Sequence, residues 1–309
     1  MVSSIWEDIK RQFTYGDMLI RIILVNVGIF FAVNLLNVFL WLFLREPGRE
    51  IYEAIMTWLQ AGPTWWHNLS RPWTIITYMF LHEGVWHILM NMLFLFWFGR
   101  VVKDLGGNQR ILPIYLLGGL VGFVAYVLSY YLFPGYVGPY MLGASAGVMA
   151  IVVAAATLAP DYRFHLIFIG PVALKYLAAI IFLLDIISLP KGNTGGHFAH
   201  IGGALMGYYF VTQLRSGNDL SVRVNNILEG VVNYFRYLGN MFSGKDSGSP
   251  KKNKSKSRMR RRKPSHKSDE EGLSDQEKLD SILEKIKRSG YQSLTEEEKD
   301  FLFRASKNE

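Results

Sequence analysis

A serine becomes a useful nucleophile only when a general base stands beside it, so the polar residues of this chain are the place to begin. Ser145 lies in Gly143-Ala144-Ser145-Ala146-Gly147. His87 and Asn91 are four residues apart, which on a helix puts imidazole and amide on one face. His197 and His200 are three apart, and His82 precedes His87 by five. The chain has no cysteine, so thiol nucleophiles, disulfides and thiolate metal sites are excluded.

Three chemistries compete for these residues. In a zinc site, His82-Glu83-Gly84-Val85-Trp86-His87 would stand for HExxH, but its histidines are one residue too far apart. At about 100° per residue they diverge by roughly 140°. His197 and His200 could chelate, yet no acidic third ligand is close in the sequence, so no metal is expected. The second chemistry is that of a soluble hydrolase. Gly143-x-Ser145-x-Gly147 matches a nucleophile elbow, but that turn needs a strand before it, and the flanks here are apolar helical runs. The third is serine chemistry at membrane depth, with a histidine from another helix as base. The Ser145 N–H, the Asn91 amide and the His87 ring are the donors on offer to an oxyanion. No carboxylate is placed to orient the base. Asp185 lies toward the end of an apolar run and has no evident partner, so a dyad is expected. Each residue also has a plainer reading, since small-residue segments pack helices and a buried asparagine joins them.

The elements that must position these groups are long and apolar. Half of the 309 residues are hydrophobic, and the formal charge of +8 is unevenly spread. Residues 1–214 carry 12 Lys/Arg and 10 Asp/Glu, while 215–309 carry 21 and 15. The first two thirds are too apolar for a soluble domain. Six stretches approach the roughly 20 residues that a membrane span needs: 19–44, 85–102, 111–133, 142–160, 171–189 and 197–214. Lys10, Arg11, Arg21, Lys103, Arg110 and Arg163 fall on one side, which is expected to be cytoplasmic together with both termini. The segment 45–84 carries Trp58, Trp65, Trp66 and Trp73 and is expected to hold short interfacial helices. On this topology the spans bearing His87, Ser145 and His200 all begin on the far side, at similar depth.

Taken together, these motifs resemble the rhomboid family of intramembrane serine proteases over about residues 19–214. His82…His87-Ile88-Leu89-Met90-Asn91 is similar to the family's His…HxxxN element. Gly143-Ala144-Ser145-Ala146 is similar to its GxSx nucleophile motif. Ala199-His200-Ile201-Gly202-Gly203-Ala204-Leu205-Met206-Gly207 is similar to AHxxGxxxG. The resemblance implies Ser145 as nucleophile, His200 as base, and His87 and Asn91 as the oxyanion site. It also implies that Gly203 and Gly207 bring the sixth helix against the fourth, with Gly143 and His82 as supporting residues; His197, one turn before His200 and otherwise a supporting residue, could compete for the base role, and the glycine spacing favours His200. Ala146 stands where many members have Gly, and Met149 where an aromatic often packs on the base. The Trp-Arg pair of many members is represented by Trp73 alone. The function implied is hydrolysis of peptide bonds in or near transmembrane segments of membrane-protein substrates, with no cofactor. The alternative is an inactive rhomboid-like protein that binds transmembrane clients.

The expected fold is therefore all-α, a six-helix polytopic membrane bundle at 19–214 after a cytoplasmic segment, 1–18. An amphipathic helix follows at 215–243, then a basic disordered linker at 244–272 and a small helical hairpin at 273–309. The run 251–263 has nine basic residues in thirteen, which suits anionic lipid; without aromatic residues between them, nucleic acid is not expected. Ser274-x-x-Glu277 and Thr295-x-x-Glu298 read as helix starts, and Gly290 as a stop. The hairpin's partner is unknown. With no organelle-targeting presequence visible, a bacterial inner membrane is the expected location.

Overall fold

A computed structural model describes residues 16–242 and 294–305, with positions 7, 10, 11, 13, 279, 281, 282 and 285 besides. Its long helices are α1 (Met18–Leu44), α5 (Val85–Gly106), α6 (Ile111–Leu132), α7 (Ser145–Leu158), α8 (Leu174–Ser188) and α9 (Thr194–Arg215). The segment between α1 and α5 holds α2 (Glu46–Leu59), α3 (Trp65–Ser70) and α4 (Thr74–Thr77), the short helices that its tryptophans led us to expect. Trp58 stacks on Trp73 at 5.4 Å, and the Trp73 indole N–H donates to the Trp58 carbonyl at 2.7 Å. After α9 comes α10 (Leu220–Phe242).

Among the described residues, three helices, 18–44, 85–106 and 108–132, are long and apolar enough to cross a membrane. The helix in the 142–160 run is shorter, because it begins only at Ser145, after Gly143 at φ +125° and a helical Ala144 at φ −69°. The 171–189 run is shorter too. Residues 163–166 and 170–173 pair as an antiparallel hairpin, β1 (Arg163–Leu166) and β2 (Gly170–Ala173), in the register Arg163 to Ala173 through Leu166 to Gly170. The hairpin is a local exception in a chain that is otherwise mostly helical, as expected. Pro171-Val172-Ala173 is apolar enough to pass for the start of a span, but β-branched Val172 lies in an alternating pair of strands. The tip, Ile167-Phe168-Ile169, is almost fully exposed. The sixth helix begins at Thr194, three residues before its expected start, so His197 and His200 stand inside its first two turns.

The centre of the bundle is α6, α7 and α9, packed through small residues. A side chain at Gly203 would strike the Ala146 carbonyl, and one at Gly207 the Ala150 carbonyl, both on α7. At Gly122 of α6 it would come within 2.6 Å of the Ala146 side chain and 2.8 Å of the Ala199 carbonyl. Main chain thus lies against main chain, the close approach that small residues permit. Around this centre, α1 keeps Leu19 and Ile22 buried but turns Phe31, Leu35, Phe39, Trp41 and Phe43 outward, as a lipid-facing helix would. Asn26 of α1 donates to the Ile22 carbonyl at 2.9 Å and lies 3.5 Å from the Tyr115 hydroxyl of α6. Tyr115 in turn donates to the Met79 carbonyl at 2.8 Å.

Helix α10 is amphipathic. Its base is tied by Arg110 to Asp219 at 2.7 Å and by the Asn225 amide to the Gln109 carbonyl at 3.1 Å. Its apolar face, with Ile227, Val231, Val232 and Phe235, is left exposed. Residues 247–309 form a separate compact unit. There, α11 (Glu296–Ala305) is opened by a reciprocal cap: the Thr295 N–H donates to Glu298 at 2.7 Å, and the Glu298 N–H donates to the Thr295 hydroxyl at 3.3 Å. The expectations for 244–272 and for the helix between Ser274 and Gly290 lie outside the described residues, apart from positions 279, 281, 282 and 285.

Candidate functional site

Ser145 is the first residue of α7, where unpaired backbone N–H groups and the helix dipole face outward. It is held there by Gly143, whose N–H donates to the Tyr78 carbonyl at 2.9 Å. Only glycine is comfortable at that φ. A side chain at 143 would also come within 2.9 Å of His87 Nε2 and 3.5 Å of Ser145 Oγ, so His87 and Ser145 flank this one backbone position. Nearby, Ala61 and Met141 exchange two backbone hydrogen bonds at 3.1 and 2.8 Å, which pins the approach to α7 onto the segment between α2 and α3.

His87, Asn91, Gly143, Ser145, Asp185, His197 and His200 all line one cavity of about 470 Å³. Asn91 donates one amide N–H to the His87 carbonyl at 2.9 Å, four residues back along α5, which fixes the amide on the cavity side. His82, just ahead of α5, packs its ring against that of His87 at 5.1 Å. Burial, and after it the neighbouring His87, pushes the His82 imidazole down to about 4, so it is neutral at pH 7. Its two ring nitrogens are buried. Met149, which stands where an aromatic was the commoner expectation, lines the same cavity.

The expectation that no carboxylate attends the histidines is overturned. Asp185 comes from the last turns of α8, and its Oδ1 lies 2.6 Å from His200 Nδ1 and 2.7 Å from His197 Nδ1. Asp185 Oδ2 and His200 Nε2 are buried and unpartnered. An acidic third ligand is therefore close to the two histidines after all, the three donor atoms lying within 4.8 Å of one another. Zinc with ligands about 2.0–2.1 Å away would set tetrahedral neighbours roughly 3.3 Å apart. The two short nitrogen–oxygen separations are those of charge-assisted hydrogen bonds instead.

Comparison with known proteins gives a consistent result. The Rhomboid domain family model matches residues 69–216, and a family of unknown function, DUF6576, matches residues 265–308. The chain is 32% identical over 222 residues to "Presenilin-associated rhomboid-like protein A, mitochondrial" of Danio rerio, covering 69% of this chain and 52% of that protein. It is 31% identical over 225 residues to "RHOMBOID-like protein 12, mitochondrial" of Arabidopsis thaliana, covering 69% and 62%. It is 28% identical over 218 residues to "Rhomboid-related protein 1" of Caenorhabditis elegans, covering 62% and 53%. The chain thus spans between half and two thirds of the length of these curated relatives.

Proposed function

The chain belongs to the rhomboid family, and from that membership we propose that it is an intramembrane serine endopeptidase acting on transmembrane segments of other proteins. In this reading Ser145 Oγ attacks the scissile carbonyl carbon while its proton passes to His200 Nε2. The oxyanion is met by the Ser145 N–H, the Asn91 amide and the His87 ring. His200 then gives its proton to the departing amine. A water, deprotonated by His200, cleaves the resulting ester and restores Ser145.

The observation that carries this reading is the shared cavity. A serine at a helix start, a histidine with a buried, unpartnered Nε2 and two further donors from a third helix line it together. Polar groups at membrane depth are costly and are kept where they serve a site. A wet cavity is also the only setting in which an extended substrate backbone is tolerable at that depth. Substrate segments with weak helix formers unwind there more easily. We further propose a multi-pass integral membrane protein with six spans, both termini cytoplasmic, and the basic tail against anionic lipid. The expected bacterial inner membrane finds no support in the two relatives named as mitochondrial.

The test is cleavage of a model transmembrane substrate by purified protein in liposomes. Ser145→Ala is expected to abolish turnover and leave the unfolding temperature unchanged. Full activity in that variant would sink the serine mechanism. If the unmutated protein binds the substrate but does not cleave it, the chain is the inactive client binder instead. His200→Ala is expected to be inactive and His197→Ala to retain turnover; the reverse pattern would reassign the base.

A further inference from the structure

A carboxylate inside an apolar helix calls for a reason. Asp185 sits between Leu184 and Ile186, and its neighbours Leu183, Leu184 and Ile187 turn outward with more than half of their surface exposed. The Asp185 side chain turns the other way and is only 9% exposed. One of its oxygens meets two imidazoles, and the other meets no partner. An ionisable group in such a span, paired and facing a cavity, marks function more often than packing.

We propose that Asp185 is a positioning residue that turns the serine–histidine pair into a triad, and that the same carboxylate oxygen holds His197 as a second arm. This rests on the protease reading given above. Carboxylate Oδ1 can only accept, so each histidine must donate its Nδ1–H to it. His200 is thereby fixed as the Nδ1–H tautomer, and its buried, unpartnered Nε2, on a residue that lines the same cavity as Ser145, is left with a lone pair for the serine proton. When Ser145 Oγ bonds to the scissile carbon, its proton moves to Nε2 and the ring becomes an imidazolium. Asp185 stays ionised and faces that charge at 2.6 Å. The proton then leaves with the amine product, and the carboxylate never takes it. His197 shares the oxygen, which braces Asp185 from the first turn of α9 while His200 holds it from the next.

Steady-state cleavage by the full chain in liposomes, with the Asp185→Asn variant, tests this. The amide of that variant keeps the shape of the carboxylate but can offer an N–H to Nδ1 and so stabilise the wrong tautomer. Turnover number is expected to fall at least ~100-fold with KM within about twofold, while Asp185→Glu recovers at least a tenth of the activity. His197→Ala, which leaves the Asp185–His200 contact in place, is expected to lose less than about tenfold. Imidazole ¹⁵N spectra of the inactive Ser145→Ala chain should show His200 as the Nδ1–H form. They should show the Nε2–H form when Asp185→Asn is added. Asp185→Asn with unchanged turnover, or His200 as Nε2–H in the chain with Asp185 intact, would overturn the proposal. The spectrum decides even if Asp185→Asn does not fold. Failure of the unmutated chain to cleave any substrate would be a failure of the protease reading. An active unmutated chain whose turnover survives Asp185→Asn would refute the triad alone.

Discussion

Replacing Gly203 by alanine separates the geometry of the site from the stability of the bundle. The new Cβ would lie 2.9 Å from the Ala146 carbonyl carbon and 3.2 Å from its Cα, with the carbonyl oxygen nearer still. Carbon atoms rest at about 3.5–4.0 Å, and the nearer oxygen must also be cleared, so α9 must retreat from α7 by about 1 Å or more. Overpacking of this kind costs about 1–3 kcal/mol of stability. Ala146 adjoins Ser145, and Gly203 is three residues from His200, so the shift falls between the proposed nucleophile and its proposed base. A misplacement near 1 Å is worth about 100-fold in rate, or roughly 2.7 kcal/mol of barrier. Gly207→Ala meets Ala150 with the same 2.9 Å approach, but about 7.5 Å farther along α7 from Ser145 at ~1.5 Å per residue. It should lose similar stability and less than about tenfold in activity. Gly28→Ala, with nothing within 4 Å of its new methyl, should keep activity and gain about 0.5–1 kcal/mol from helix propensity. Cleavage in liposomes and thermal unfolding of the three variants form the assay. Gly203→Ala within twofold of unmutated activity, or Gly207→Ala as the more damaging of the pair, would refute the reasoning.

Further outcomes follow from other contacts. Tyr115→Phe leaves the buried Met79 carbonyl without its donor and should destabilise by about 1–3 kcal/mol; an unchanged unfolding temperature would show that the bond contributes nothing. Burial pushes the Asp219 carboxyl up, but hydrogen bonds from Ser221 and Arg110 outweigh it and hold the pKa below the usual value. That stabilisation is complete above the ordinary carboxylate range and is lost as pH falls through the lower folded value, so protection from hydrogen exchange at the start of α10, taken relative to the intrinsic rate at each pH, should fall only in strong acid. A fall in protection near neutral pH would place the titration elsewhere. Thr295→Ala removes a helix cap and should weaken α11 by roughly 1 kcal/mol, read as faster exchange at residues 296–298. Chelators should leave turnover unchanged; inhibition reversed by added zinc would reassign Asp185, His197 and His200 to a metal.

The legible parts of the molecule were those governed by local spacing. His87 and Asn91 share a face because they are one turn apart, and Gly203 and Gly207 contact α7 because their spacing keeps both on one stripe. The apolar runs marked where the long helices would be. Asp185 was illegible for a physical reason. It reaches His200 only because residues 189–193 reverse the chain tightly, through Gly192 at φ +109° and Asn193 in the left-handed region at φ 52°. Nothing in the spacing of 15 residues announces that reversal. The β1–β2 hairpin was hidden by its own composition, since the apolar tip Ile167-Phe168-Ile169 and the strand residues Pro171-Val172-Ala173 continue the hydropathy of the helix that follows. The three-residue error at the start of α9 has a similar origin, Gly195 and Gly196 being too small to register as part of an apolar run.

Side chains in most cores hold their place by occupying one rotamer among several, and warming lets them sample the others. The contact of α9 with α7 at Gly203 and Gly207 has no rotamers to sample. Its only soft coordinates are rigid translation and rotation of whole helices. Moderate heating or a change in bilayer thickness should then leave the register of Ser145 against His200 intact until the bundle itself gives way. Loss of activity and loss of structure would share one transition, with no softened and inactive state ahead of it.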